Sequence, residues 1–293
     1  MRLGVLTAIT SFLCGLSLVA EAQIVVPGGG ADIDRGSLVK RLAGADVVIL
    51  GEVHDNPDHH ANQAWLVGQL KPSALVAEML KQSDTTPIRR YLDGGGDWDG
   101  LAAVVDWEKS GWPDWGMYKP IFEALGRGGV IAGAGLPRSV VRRVMTEDAA
   151  DLIEDARFRP ALRRAMAPEL QAELEDEMIE SHCGHLPREM APMMVSAQRL
   201  RDANLAAVIL KVTEHWSGQV VVITGNGHAR KDRGIPAFLA EVAPQLKVVS
   251  IGQLETEAGT PPGAEVFDFA WLGAPHPRTD PCEQLRKRVK SKG

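Results

Sequence analysis

Five short runs of apolar, largely β-branched residues recur along this chain, at 46–50, 75–79, 130–134, 219–224 and 247–251, each bounded by glycine, proline or polar residues. They are continuous rather than alternating, which is how strands covered on both faces read. A run at 264–271 predicts a further strand at the sheet edge. Between these runs the apolar spacing turns helical: 37–42, about 57 to 70, then 140–156, 160–181 and 189–216. The gaps after the second and third runs, about 50 and 85 residues, exceed what a single crossover helix needs. The pattern therefore predicts an α/β fold, a mostly parallel sheet flanked by helices, with a smaller inserted helical subdomain over its C-terminal edge. The expected domain spans 36–275, with its core at about 36–80, 128–138 and 218–272 and helical insertions at 81–127 and 139–217. Residues 23–35, with Gly28-Gly29-Gly30, are expected to be flexible, and 276–293 to form a tail.

Two of the strand runs end alike, in Gly51-Glu52-Val53-His54 and Gly225-Asn226-Gly227-His228. A glycine there permits a turn that other residues resist. A histidine just beyond it stands in the crevice where open α/β sheets hold ligands. Glu78 closes the second apolar run, where an unpartnered carboxylate is costly. Both motifs and Glu78 are thus expected to share one site. Two imidazoles with carboxylates suit a divalent metal such as zinc, held by His54, Glu78 and His228 with Glu52 activating water. They equally suit metal-free catalysis, with His54 as base and Glu52 or Glu78 orienting it. His59 and His60, at the start of the following helix, read as surface or capping residues.

Charge and cysteines narrow the setting. Among 293 residues the net charge is −6, which excludes a general nucleic-acid binder; the basic run 286–292 reads as a solvated tail. A short basic start, an apolar stretch at 6–19 and Ala20-Glu21-Ala22 read as a signal peptide of residues 1–22, cleaved after Ala22. The apolar stretch is too short for a stable membrane span, and Cys14 lacks a lipid-attachment box. The expected protein is exported and periplasmic. Its two remaining cysteines, Cys183 and Cys282, read first as a disulfide, with free thiols or metal ligands as the alternative.

The motif pair with its intervening Glu78 resembles the Tiki superfamily, and more closely its haem-binding ChaN branch. The stretches His182-Cys183-Gly184-His185-Leu186-Pro187, Met193-Met194-Val195-Ser196-Ala197-Gln198-Arg199 and Asp280-Pro281-Cys282 are similar to that branch as well. The resemblance covers about 35–275. It implies a two-part fold and an exported protein of iron uptake that binds haem, with a homodimer sandwiching the haem. Other superfamily members imply the alternative, a metal-dependent hydrolase or protease in which Glu52, His54, Glu78 and His228 are catalytic. The family's haem is held by a tyrosinate. Of Tyr91 and Tyr118, the second lies in the tryptophan-rich stretch 107–118 and is the candidate ligand. Arg138, Arg230 and Arg233 are the candidate partners for propionates, though they equally suit pairing with Asp232 and nearby acids. The tryptophans suit either a flat pocket wall or an anchor for the inserted loop.

Overall fold

The computed structural model describes residues 23–29, 31–257, 259, 261, 263–280 and 282–283. The expected signal peptide and the basic run near the C-terminus lie outside the described residues. Seven strands form one sheet: β1 (Gln23–Val25), β2 (Val47–Glu52), β3 (Ala74–Lys81), β4 (Val130–Gly135), β5 (Val220–Gly225), β6 (Val248–Glu255) and β7 (Phe269–Gly273), in the order β1-β7-β6-β2-β5-β3-β4. Every pairing is parallel except β1 with β7. The α/β fold and mostly parallel sheet read from the apolar runs are present. Two details differ. Gln23–Val25, expected to be flexible, pairs with β7, because Ile24 and Val25 have apolar surface to bury there. The last strand is consequently not the sheet edge.

Alternate residues of the strands point to opposite faces, as a period of two requires. Val47, Ile49, Val76 and Val222 enter the core on one face, and Val48, Leu50, Leu75 and Val221 that on the other. Helix α1 (Pro57–Leu70) and helix α2 (Trp115–Leu125) cover the second face through Leu66, Val67, Ile121 and Phe122. The first face is covered by α4 (Ala191–His215) and α6 (Ile235–Val242). Helix α3 (Pro168–Ser181) packs on α4, and α5 is the single turn Asn226–Ala229.

The segment 139–217, expected as one insertion, therefore divides. Its last helix lies on the sheet, burying Leu200, Leu205, Ile209 and Leu210, each worth about 1.5–3 kcal/mol. It belongs to the α/β core, because its apolar side chains pack on that face of the sheet beside α6. A disulfide joins Cys183, just past α3, to Cys282. No helix among the described residues is long and apolar enough to cross a membrane.

This topology places the site. Chain leaving β2 turns to one face through α1, and chain leaving adjacent β5 turns to the other through α5 and α6. Neighbouring strands whose connections diverge open a crevice at their carboxyl ends. Glu52 and Gly225 end these two strands in register, and Glu78 stands on β3 at the other side of β5.

Candidate functional site

Neither motif glycine is needed for a turn. Gly51 and Gly225 lie within their strands, and neither has a positive φ. They are required for close approach, and the requirement is reciprocal. A β-carbon on Gly51 would overlap Asn226 Oδ1 and stand 3.0 Å from the Ile251 carbonyl oxygen. One on Gly225 would stand 2.9 Å from His54 Nε2. Each motif thus leaves the space that a side chain of the other fills. Asn226 uses its space to bond β6, donating to the Gln253 carbonyl at 2.6 Å and accepting from the Gln253 N–H at 3.0 Å.

The first motif is held by a buried carboxylate. Glu52, ending β2 and 2% exposed, accepts from His54 Nδ1–H at 2.9 Å and from the Tyr118 hydroxyl at 2.9 Å, both on Oε1. His60 Nδ1 faces Oε2 at 3.3 Å, while its Nε2–H donates to the His54 carbonyl at 2.9 Å. Burial pushes the Glu52 carboxyl up, but hydrogen bonds from His54 and His60 outweigh it and leave it below its ordinary value. Burial pushes the His54 imidazole down, but Glu52 and Glu78 outweigh that and leave it above its ordinary value; in the neutral ring Nδ1 carries the proton and Nε2 the lone pair. That nitrogen has no hydrogen-bond partner among the described residues, and the side chain is 40% exposed. Trp112 meets the ring edge-on at 4.9 Å.

The second motif is different. His228 is buried and lies between two carboxylates, Asp202 Oδ1 at 2.6 Å from Nδ1 and Glu78 Oε1 at 3.4 Å from Nε2. Burial pushes this imidazole down, but the charges of Glu78 and Asp202 more than reverse that and lift it to about 10. At neutral pH it is an imidazolium. Glu78 Oε2 accepts in addition from Thr224 Oγ1 at 2.7 Å and the Gly225 N–H at 2.9 Å. Burial raises the Glu78 carboxyl, yet His228 holds it well below the usual carboxylate range.

His54, Glu78 and His228 all line one cleft of about 790 Å³. They do not converge as ligands: among the described residues no three His, Cys, Asp or Glu side chains form a ready metal-binding group. Arg138 lines the same cleft, its guanidinium donating to the Ser110 carbonyl at 3.2 Å. The other named residues lie elsewhere. Tyr118 is fully buried beneath Glu52, with its hydroxyl pushed up by burial and by the Glu52 charge. Arg230 pairs with Asp232 at 2.6 Å, and Arg233 with Glu177 at 2.6 Å, on the α3 side. In the aromatic stretch Trp107 is buried against Trp115 and Tyr118, which anchors the segment, while Trp112 lines the cleft.

His59 and His60 correct the expectation of surface residues, since they are only 3% and 1% exposed. Asn56 caps α1, accepting from the Asp58 and His59 N–H groups, and this turns the first helical turn inward. His59 Nδ1 accepts the Val53 N–H at 2.9 Å, so this imidazole must be neutral, and burial pushes it down to about 4. Its folded-state pKa lies below the unfolded value near 6.5. The stability it contributes is present above that value and lost as pH falls toward 4, in all roughly 3 kcal/mol. Denaturation titrations between pH 7 and 4 should show this loss flattened in His59→Gln; equal slopes would clear His59 as its cause.

Asp202 escaped sequence reading. It lies in the run Leu200-Arg201-Asp202-Ala203-Asn204-Leu205, and an acid set in the apolar face of a helix was its one signal.

Known proteins share this fold. Residues 38–239 match the family model described as haem-binding uptake, Tiki superfamily, ChaN. The solved structure "Cofacial heme binding to ChaN of Campylobacter jejuni" is similar in fold, with a TM-score of 0.68 at 20% identity, over 85% of this chain and 95% of that one. The type III effector HopBA1 is more distant, with a TM-score of 0.44 at 16% identity over 82% and 92% of the two chains. No curated protein matches the sequence significantly. The match spans well over half of the chain, a stretch in which both motifs, Glu78 and Asp202 lie, so the protein belongs to the ChaN family of haem-binding uptake proteins in the Tiki superfamily.

Proposed function

We propose that the protein binds haem in the cleft beside His54 and serves haem or iron uptake outside the cytoplasm. The observation that carries this reading is His54 Nε2. Its tautomer is set by Glu52, no hydrogen bond occupies it among the described residues, and Gly225 brings no side chain against it. Haem requires such a donor, a flat apolar slot and cations for its propionates. Trp112, Leu136, Pro137 and Val141 give the cleft its apolar walls. Lys81, Lys109, Arg138 and Arg201 line it with positive charge. The residues present therefore suit the group: His54 would hold the iron, and the basic side chains would meet the carboxylates. Tyr118, with its hydroxyl committed to Glu52, has the role of supporting that carboxylate. Arg233 ties its loop to α3 through Glu177, and Arg230 pairs locally with Asp232.

Haem when bound supplies the iron and the visible absorption; the protein's residues bind and orient it. Export is supported by the signal-like residues 1–22 and by the disulfide, which persists in oxidising compartments. Cofacial haem binding in the Campylobacter jejuni relative motivates the same expectation here, two copies stacking their haems. The competing reading, a metal-dependent hydrolase, takes zinc ligands from His54, Glu78 and His228. Both nitrogens of His228 already face carboxylates, which leaves that ring no lone pair to offer.

Titrating the mature protein with haemin should give a shifted Soret band that saturates at micromolar concentration. His54→Ala should weaken binding at least about 100-fold, the upper end of what losing even an outer partner of a ligand costs. An unchanged affinity in that variant, or zinc bound in place of haem, would overturn the assignment.

A further inference from the structure

We propose that a second groove, at the amino-terminal end of the sheet, binds a free long-chain carboxylate. Its acyl tail lies against Trp216 and its head among Lys71, Arg90 and Arg127. Two adjoining cavities of about 660 and 650 Å³ share Arg89, Gly129, Val130 and Trp216 in their walls. Each falls within the roughly 300–1,000 Å³ of small-molecule pockets. Ser73 and Gly129, in these walls, immediately precede β3 and β4, and Trp216 follows α4. The cleft of the two histidine motifs lies at the other end of the same strands. The groove is therefore a separate site, independent of the haem reading.

Trp216 is 42% exposed, and among the described residues Met145 is the other exposed large hydrophobic. An indole left open beside an apolar groove gains by being covered. Ile88, Leu92, Leu125, Val130 and Ile131 give the groove its apolar floor. Its rim is basic. Four cations line the two cavities, Lys71, Arg89, Arg90 and Arg127, against one carboxylate, Asp93. Arg89 and Asp93 neutralise each other at 2.8 Å. Arg127 donates to the Leu92 and Gly96 carbonyls at 3.0 and 2.6 Å, which carry no full charge. Lys71 and Arg90 meet no carboxylate among the described residues. Three unopposed positive charges thus border an apolar groove on a chain whose net charge is −6. An apolar body ending in a carboxylate complements both halves, since guanidinium and carboxylate form strong, charge-assisted bonds.

The edge strand argues against a peptide added to the sheet. Backbone groups alternate in direction along a strand. Val130 donates its N–H inward, to the Ser73 carbonyl at 3.0 Å, and Gly133 donates outward, to Thr85 Oγ1 at 3.0 Å. Ile131 is left as the one outward residue between them, too short a row for strand addition. A membrane surface would need protruding apolar residues, and Ile88, Leu92 and Ile131 are at most 7% exposed.

Isothermal titration of the mature protein with sodium laurate, below its micelle-forming concentration, should show saturable binding of one molecule per chain. Dodecanol, with the same tail and no charge, should bind at least about tenfold more weakly, the loss expected for one charge-assisted contact. Trp216→Ala, and the double variant Lys71→Gln with Arg90→Gln, should each weaken laurate at least about tenfold. All three residues are exposed, so both variants should melt as wild type does. Laurate held equally well by both variants, or no tighter than dodecanol, would overturn the proposal. So would an acidic, phenylalanine-containing peptide or anionic phospholipid vesicles binding through these residues while laurate does not. Haemin titrations of the variants should match wild type; a loss there would make haem the occupant of the groove and dismiss the fatty acid.

Discussion

Replacing Asp202 with alanine is expected to destabilise the fold by about 3–5 kcal/mol at pH 7, the range for removing one partner of a buried ion pair. The reason is the charge left behind. His228 would remain buried, with Glu78 at 3.4 Å as its one carboxylate partner and the 2.6 Å contact gone. The pH dependence follows from the same pair. The folded-state value of His228, about 10, lies above its unfolded value near 6.5. Its stabilisation is therefore fully present below pH 6.5 and is lost as pH rises through 10. The gap between wild type and Asp202→Ala should be widest near neutrality and narrow toward pH 10. Asp202→Asn, which keeps an acceptor, should cost less. Urea denaturation at the two pH values reads both effects. A cost below about 1 kcal/mol at pH 7 would mean that no buried ion pair exists there.

Breaking the Cys183–Cys282 disulfide is the second large effect. The two cysteines are 99 residues apart, and closing a loop of that length is worth up to about 4–5 kcal/mol on the chain-entropy model. The bond also fastens a strap. Past β7 the chain crosses the mouth of the first motif, where Arg278 pairs with Asp55 at 2.9 Å and Glu255 at 2.6 Å. It then reaches the end of α3 through Cys282. The double substitution Cys183→Ser with Cys282→Ser should lower the denaturation midpoint, and adding reductant to wild type should do the same. Denatured, unreduced mature protein should contain no free thiol. Two reactive thiols per chain would dismiss the bond.

The disulfide was legible because an even pair in a chain read as exported has few other uses. The strands were legible for a similar reason: 75–79 and 219–224 have the continuous apolar character that only burial on both faces explains. Strand order was not, since nothing in the composition of β5 says that it lies between β2 and β3. The glycines were located correctly but for a reason the structure replaces, because close approach depends on a partner that sequence does not place. His59 and His60 were misjudged because the inward tilt of α1 depends on the Asn56 cap and on the packing of the whole face. Arg230 and Arg233 were placed near the site only by sequence distance from His228. After the single turn Asn226–Ala229 the chain heads for the opposite face, where Arg233 meets Glu177 of α3 and Arg230 pairs with the nearby Asp232.

The position of β5 has a consequence for how the protein is made. Val220 pairs with both Val47 and Ala74, so one late strand fills the gap between two early ones. Until it arrives, β2 and β3 face each other across an empty lane, each with a row of unmet backbone groups. Contacts that span so much of the chain form slowly, and exposed strand edges invite the wrong partner. A truncated product ending before residue 220 should therefore aggregate rather than fold into a smaller domain. The cleft, which takes part of its lining from His228 beyond β5, is among the last features the growing chain can assemble.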